Sequence, residues 1–355
     1  MTTPGHRVEP ATTFEVGVCL AAFADLPLAE ALARVHDLDL ALVDLPSDSV
    51  FAVRPEAAFG PVTDDPGVVG LRQMLDRFDI RVACVSNSRD AQLILGPHGP
   101  HTDRVMVGAP DDKRTHGRRH ALDAIRLAGA LEVPLVRLFL GCPDFGRWLT
   151  WSGSEVSWDD NVDAFLAEAA PLAAAAQLEG VTLCIEPHPK QVAYDVRSTR
   201  ACVEGLRAAG GAVGICFDPA NVAALRYDPV PFLSALGEAP LCVHAKDLDL
   251  APSVQVPEGR GWVSYGPQPP VRFRSVPFGQ LDWGQILAGL ADAVFTGPVL
   301  IEHEDLVTDR MVGIAAAAEH LTGVQGSGSS ASHSPIAPHL QLAAAGQAPV
   351  STPWW

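Results

Sequence analysis

PVLIEHE, residues 298–304, sets Val299, Leu300 and Ile301 directly before Glu302, His303 and Glu304. So short an apolar, partly β-branched run reads as a buried strand. On either side, DWGQILAGLAD (282–292) and DRMVGIAAAAEHL (309–321) place apolar residues at helical spacing. The same unit recurs along the chain. Strand-like runs appear as FEVGVCL (14–20), DLALVDL (39–45), IRVACVS (80–86), PLVRLFLG (134–141), VTLCIE (181–186), AVGICFD (212–218) and LCVHAKD (241–247), separated by amphipathic segments such as LPLAEALARVH (26–36) and STRACVEGLRAAG (198–210). Strands alternating with such helices pair in parallel, and eight units predict an α/β fold of the closed (β/α)8 TIM-barrel type. An open doubly wound sheet fits less well, because no Gly-x-Gly-x-x-Gly turn follows the first strand.

The chain has 355 residues, enough for one large barrel with additions, so 1–13 reads as an extension, 14–322 as the barrel and 323–355 as a low-complexity tail. That tail carries no Lys, Arg, Asp or Glu until it closes on Pro353-Trp354-Trp355. A formal net charge of -17 repels phosphodiester backbones and argues against nucleic acid as a partner. No apolar leader and no membrane-length apolar run is visible, which points to a soluble, cytoplasmic protein with no membrane partner. Cys19, Cys84, Cys184, Cys216 and Cys242 sit inside the strand runs and read as small buried hydrophobes in a reducing compartment. Residues 46–66, 87–115 and 248–280 lengthen the loops after the second, third and seventh strands. In a barrel those loops border the active-site face.

The opening stretch ends in charge, and it is not alone. Glu186 in CIEPHP, Asp218 in CFDPAN, His244 in CVHAKD and Glu302 in LIEHED each close an apolar run on one of the last four strands. A parallel barrel brings those ends to one rim. Three carboxylates and an imidazole repel or compete until a cation joins them. They form an oxygen-rich ligand set suited to one divalent metal, Mn²⁺ or Mg²⁺ foremost, with Co²⁺, Fe²⁺ or Zn²⁺ also compatible. Asp218, lying before Pro219, reads equally as the cap of the next helix.

The series IEPHP, FDPAN, VHAKD and IEHED, with FGQLDW (278–283), resembles the sugar phosphate isomerase/epimerase family of the xylose-isomerase-like TIM barrel superfamily. The likeness spans roughly residues 14–322. It extends to YDVRST (194–199), GPHGPHTD (96–103) and VRFRSVPFG (271–279), stretches similar to those of relatives that process oxidised sugars. The resemblance implies one divalent cation held by Glu186, Asp218, His244 and Glu302. It also implies a small-molecule carbohydrate substrate and proton removal and return by Glu186 and Glu302 through a metal-stabilised enediolate. A leaving group β to the carbonyl turns the same chemistry into elimination, as in C-glycoside cleavage of 3-oxo-glycosides. Many relatives carry His three residues after the metal-binding Asp. Here that position is Asn221, which donates hydrogen bonds but exchanges no proton near neutral pH.

His188, Asn221, Lys246, Asp247 and Arg274 are the expected substrate-binding residues: His188 and Lys246 face the loop end, Asp247 follows Lys246, and Arg274 is placed to clamp an anion. Trp148, Trp151 and Trp158 offer flat faces for a sugar or for the core. His303 points the other way along the pleat from Glu302 and is not read as a ligand. An endonuclease on the same barrel would need more His ligands and a basic groove. A partner-completed subunit, a homo-oligomer or a small accessory subunit remains compatible with Asn221 and the terminal tryptophans.

Overall fold

The computed structural model describes residues 14–55, 66–143, 158–251 and 270–327. The N-terminal extension, residues 56–65, Trp148 and Trp151, residues 252–269 and the tail from residue 328 lie outside the described residues.

Eight parallel strands close the barrel: β1 (Val16–Cys19), β2 (Leu42–Pro46), β3 (Arg81–Asn87), β4 (Leu135–Leu138), β5 (Thr182–Ile185), β6 (Val213–Phe217), β7 (Cys242–Ala245) and β10 (Val299–Ile301). Their order round the barrel is β1-β10-β7-β6-β5-β4-β3-β2, and β1 pairs with β10 through Val16 to Val299 and Val18 to Ile301. Every strand expected from the apolar runs is present.

Helices cover the outside for the reason their spacing gives. In α1 (Leu28–His36), Leu28, Ala31, Leu32 and Val35 are buried, one stripe at i, i+3, i+4 and i+7. The other helices are α2 (Pro66–Arg77), α3 (Pro110–Ala130), α4 (Trp158–Leu178), α5 (Val196–Ala208), α6 (Pro219–Ala224), α7 (Pro229–Leu236), α8 (Trp283–Asp292) and α9 (Arg310–Ser327). Aspartates start several of them: Asp195 accepts from Ser198 N at 2.7 Å, and Asp228 and Asp282 cap α7 and α8. Two features go beyond the eight simple units. Asp218 opens a short extra helix, α6, and the lengthened seventh loop folds into an antiparallel hairpin of β8 (Asp247–Leu250) and β9 (Val271–Arg274).

Inside the barrel, Cys19, Leu42, Cys84, Leu135, Cys184, Cys216, Cys242 and Leu300 form a separate buried cluster. All seven cysteines are free and buried, and burial pushes the Cys19 thiol up to about 12. These are neutral packing groups, as read from the sequence. Because side chains alternate along a strand, the residues two positions beyond this layer also point inward. They are Asp44, Ser86, Arg137, Glu186, Asp218, His244 and Glu302, so a polar layer lies on an apolar floor. The register of β2 against β3 shifts between Val43 and Asp44, where Ala83 is the extra residue on β3.

Candidate active site

The floor of the site is a charge network. Nδ1 of His244 lies 3.7 Å from Oε2 of Glu186 and 3.6 Å from Oε2 of Glu302, while its Nε2 is 3.8 Å from Oδ2 of Asp44. His244 is fully buried and Glu186 nearly so. Burial works against a charged His244, but the Glu302 and Glu186 carboxylates beside it hold it well above the usual histidine range.

Two cations compensate the acids. The Lys246 ammonium sits 2.9 Å from Oδ2 of Asp218, 2.7 Å from Oε2 of Glu302 and 3.1 Å from Oε2 of Glu304. On the opposite flank, Nη1 of Arg137 is 3.0 Å from Oε2 of Glu186, with its Nε 4.0 Å from Asp44. Burial pushes the Glu302 carboxyl up, but Lys246 and then His244 outweigh it and keep it well below the carboxylate range. Burial also raises Asp218, to about 7, against the pull of Lys246.

Asp218 does two jobs. Its Oδ1 accepts from the amides of Ala220 and Asn221 at 2.8 and 3.2 Å, opening α6, while its Oδ2 faces Lys246. Asn221 stitches the ligand residues together, donating through Nδ2 to Oε1 of Glu186 and Oδ2 of Asp218, both at 2.8 Å.

Of these side chains Arg137, Glu186, Asn221, Lys246, Glu302 and Glu304 line a cleft of roughly 640 Å³, counted to its open mouth, which His188, Lys190, Arg89, Phe139 and Phe273 also border, whereas His244, Asp218 and Asp44 do not reach its wall. Phe139 packs on the His188 ring at 4.7 Å, and the amide of Lys190 donates to Nδ1 of His188 at 3.0 Å. Burial, aided by Lys190 and Lys246, holds His188 well below the usual histidine range, so it is a neutral imidazole. Burial and then Arg89 lower Lys190 to about 8.

The remaining expected residues lie elsewhere. Asp247 does not line the cleft: its carboxylate accepts from the amides of Leu248, Leu281 and Gly279 at 2.8, 3.0 and 3.2 Å, and so fixes the hairpin and the segment leading into α8. Arg274 bridges Asp249 at 2.7 Å and the buried Asp305 at 3.1 Å, tying β9 to the loop after β10. His303 packs beside Gly313 of α9, away from the cleft. Trp158 stacks edge-on against Tyr194 at the start of α4. Sequence reasoning missed Asp44 and Arg137. The available signal was a charge inside each of the runs ALVDL and LVRLFL, which a buried strand carries only when the charge has a partner.

Among the described residues, both ring nitrogens of His244 and Oδ2 of Asp44 are buried without a hydrogen-bond partner, and Oε2 of Glu186 meets only the Arg137 guanidinium at hydrogen-bonding distance. Ligand atoms of Glu186, Cys216 and His244 lie within 4.8 Å of one another, as do those of Cys19, His244 and Glu302. Orphaned donors around one imidazole fit a divalent cation held by Glu186, His244 and Glu302. Asp218 joins neither group, and the Lys246 ammonium stands between it and Glu302.

Comparison with known proteins follows the same lines. The model of a family described as xylose isomerase-like TIM barrel matches residues 32–323. No curated protein matches the chain. A xylose isomerase-like TIM barrel protein from Mycobacterium smegmatis, solved in complex with magnesium, superposes with a TM-score of 0.62 at 17% identity, over 90% of this chain and 99% of that one. L-ribulose 3-epimerase gives 0.61 at 14% identity, covering 89% and 96%. The apo 3-keto-D-glucoside 4-epimerase from E. coli gives 0.61 at 12% identity, covering 88% and 100%. At such identities the likeness is one of fold. Within the described residues no helix is long and apolar enough to cross a membrane.

Proposed function

The chain belongs to the xylose isomerase-like TIM barrel family, and on that premise we propose that it is a metal-dependent isomerase or epimerase of a sugar or keto-sugar, working by proton abstraction beside a carbonyl. The observation that carries this reading is the approach of Glu186 and Glu302 to one imidazole, from β5 and β10, two strands that lie three places apart round the barrel. Similar folds include an L-ribulose 3-epimerase and a 3-keto-D-glucoside 4-epimerase, which supports a carbohydrate substrate.

A divalent cation held by Glu186, Asp218, His244 and Glu302 would supply positive charge to a substrate hydroxyl and carbonyl, acidifying the carbon between them. The Glu302 carboxyl, paired through Oε2 with the Lys246 ammonium at 2.7 Å, would take that proton at Oε1. Glu186, on the other side of the bound carbon and protonated when the substrate binds, would give its proton to the opposite face, leaving the two carboxyls with their protonation exchanged. Asn221 holds Glu186 in orientation through its 2.8 Å hydrogen bond. Lys246 offers a protonated amine to the developing oxyanion, while the neutral His188 and Phe139 shape the wall where a sugar ring would lie.

One observation favours elimination from a 3-oxo-glycoside as a second reading. Asn221 occupies the position where the family resemblance implies a substrate-contacting His; it exchanges no proton near neutral pH, and its Nδ2 is already committed to Glu186 and Asp218. Incubating the Mn²⁺-loaded protein with ketoses and 3-oxo-glycosides in D₂O separates the two: isomerisation puts deuterium on carbon without mass loss, and elimination releases the aglycone. Glu186→Gln and Glu302→Gln should each lower turnover by about 10²–10⁴-fold. Variants that turn over as the parent does would remove both readings.

A further inference from the structure

A second group of metal-type donors lies away from the barrel floor. Asp90 follows β3, and His116 and His120 lie one turn apart on α3, so both rings project from one side of the helix. Nε2 of His116 is 2.7 Å from Oδ1 of Asp90, and Nδ1 of His120 is 3.9 Å from Oδ2. The two ring centroids are 4.2 Å apart, and one ligand atom from each residue lies within 4.8 Å of the others. Asp90 is fully buried, whereas the two imidazoles keep 14% and 16% of their side-chain surface exposed, an opening through which an ion can enter.

The helix reaches Asp90 because of one small residue. A Cβ on Gly117 would stand 2.7 Å from the carbonyl oxygen of Asp90, so any larger side chain there would push α3 and both histidines away. Asp90 is held from the other side by the amide and hydroxyl of Ser49 at 2.7 and 2.5 Å and by Asn87 at 3.4 Å. Its carboxylate is therefore aimed at the histidines before any ligand arrives.

We infer that Asp90, His116 and His120 form a second metal site, for a borderline transition metal such as Zn²⁺, clamping α3 to the loops after β2 and β3. Two imidazoles and a carboxylate are a usual zinc donor set, with water in the fourth position. The exposed Arg119 now donates to Nε2 of His120 at 3.2 Å. Uptake at Nδ1 moves the ring proton to Nε2 and releases Arg119 to solvent. The added charge also relieves the repulsion between Asp90 and Asp48, whose loop borders the cleft.

The test is zinc stoichiometry on the full chain after chelator stripping, read by elemental mass spectrometry beside protein concentration. His116→Gln/His120→Gln should bind one equivalent fewer than the parent, whatever the barrel floor holds, and should lose part of the zinc-induced rise in Tm. Circular dichroism checks its folding. His120→Gln alone, a milder change at a partly exposed position, should weaken the same equivalent. Equal zinc uptake by the parent and both variants would overturn the site and leave an Asp–His hydrogen bond only.

Discussion

At the scale of single residues, Lys246 decides the character of the site. Its ammonium lies between Asp218 and Glu302, and it is buried with Asp218, while Glu302 keeps 14% of its side chain exposed. Removing one partner from a buried ionic cluster leaves the others uncompensated, at a cost of about 3–5 kcal/mol. Lys246→Met should therefore lower the stability of the chelator-treated protein by about 3 kcal/mol in urea denaturation, and Mn²⁺ should restore most of the loss by supplying the missing charge. An equal loss with and without Mn²⁺ would mean that the lysine is not standing where cationic charge is needed. The four proposed ligands were legible because each is the first polar residue after an apolar run. Asp44 and Arg137 were not, because each lies within a run and gains meaning only from a partner on another strand: Ser86 donates to Asp44, and Arg137 reaches Glu186.

At the scale of elements, the pleat explains both what the sequence told and what it hid. His244 and Lys246 share a face, and the same period of two turns Asp247 away from the cleft, just as it turns His303 away from Glu302. The strand rule was sufficient in both cases, but at Asp247 the adjacent Lys246 suggested a shared task. The fate of the long seventh loop was hidden for another reason. Its hairpin is fixed by contacts distant in sequence, Arg274 with Asp305 and Asp247 with the amides of Gly279 and Leu281. The loop after β2 offers a pH test. Asp48 is buried and accepts from the amides of Ser88 and Arg89, and burial, then Asp90, raises its carboxyl to about 6. A carboxyl whose folded value is raised favours the native state below its unfolded pKa, and that stability is lost as pH rises through the folded value. Asp48→Asn keeps the accepting oxygen and removes the titration. Between pH 4 and 7 its stability relative to the parent should therefore rise, by on the order of 2–3 kcal/mol. Urea denaturation at both pH values checks this, and a constant difference would show that Asp48 carries no such strain.

At the scale of the whole molecule, packing and internal charge pairs, rather than the proposed ion, hold the barrel together. Its core is one continuous apolar shell between strands and helices, with a second cluster inside the barrel. The acids of the polar layer already face Arg137 and Lys246. A metal bound at about 100 times its Kd adds only about 2.7 kcal/mol by mass action. For a domain of this size, that corresponds to a rise in Tm of about 4 °C. Chelation should therefore leave the far-ultraviolet circular dichroism and cooperative unfolding intact and lower Tm by no more than that. Turnover should fall by more than about 100-fold and return on adding Mn²⁺ or Mg²⁺. The two readouts separate because charge compensation and carbonyl polarisation are different demands: a lysine and an arginine meet the first, and neither can chelate a hydroxyl and a carbonyl together. If chelation abolished cooperative unfolding, the cation would be part of the fold. If turnover survived complete stripping, Lys246 itself would supply the positive charge, and proton abstraction would have to proceed without a metal.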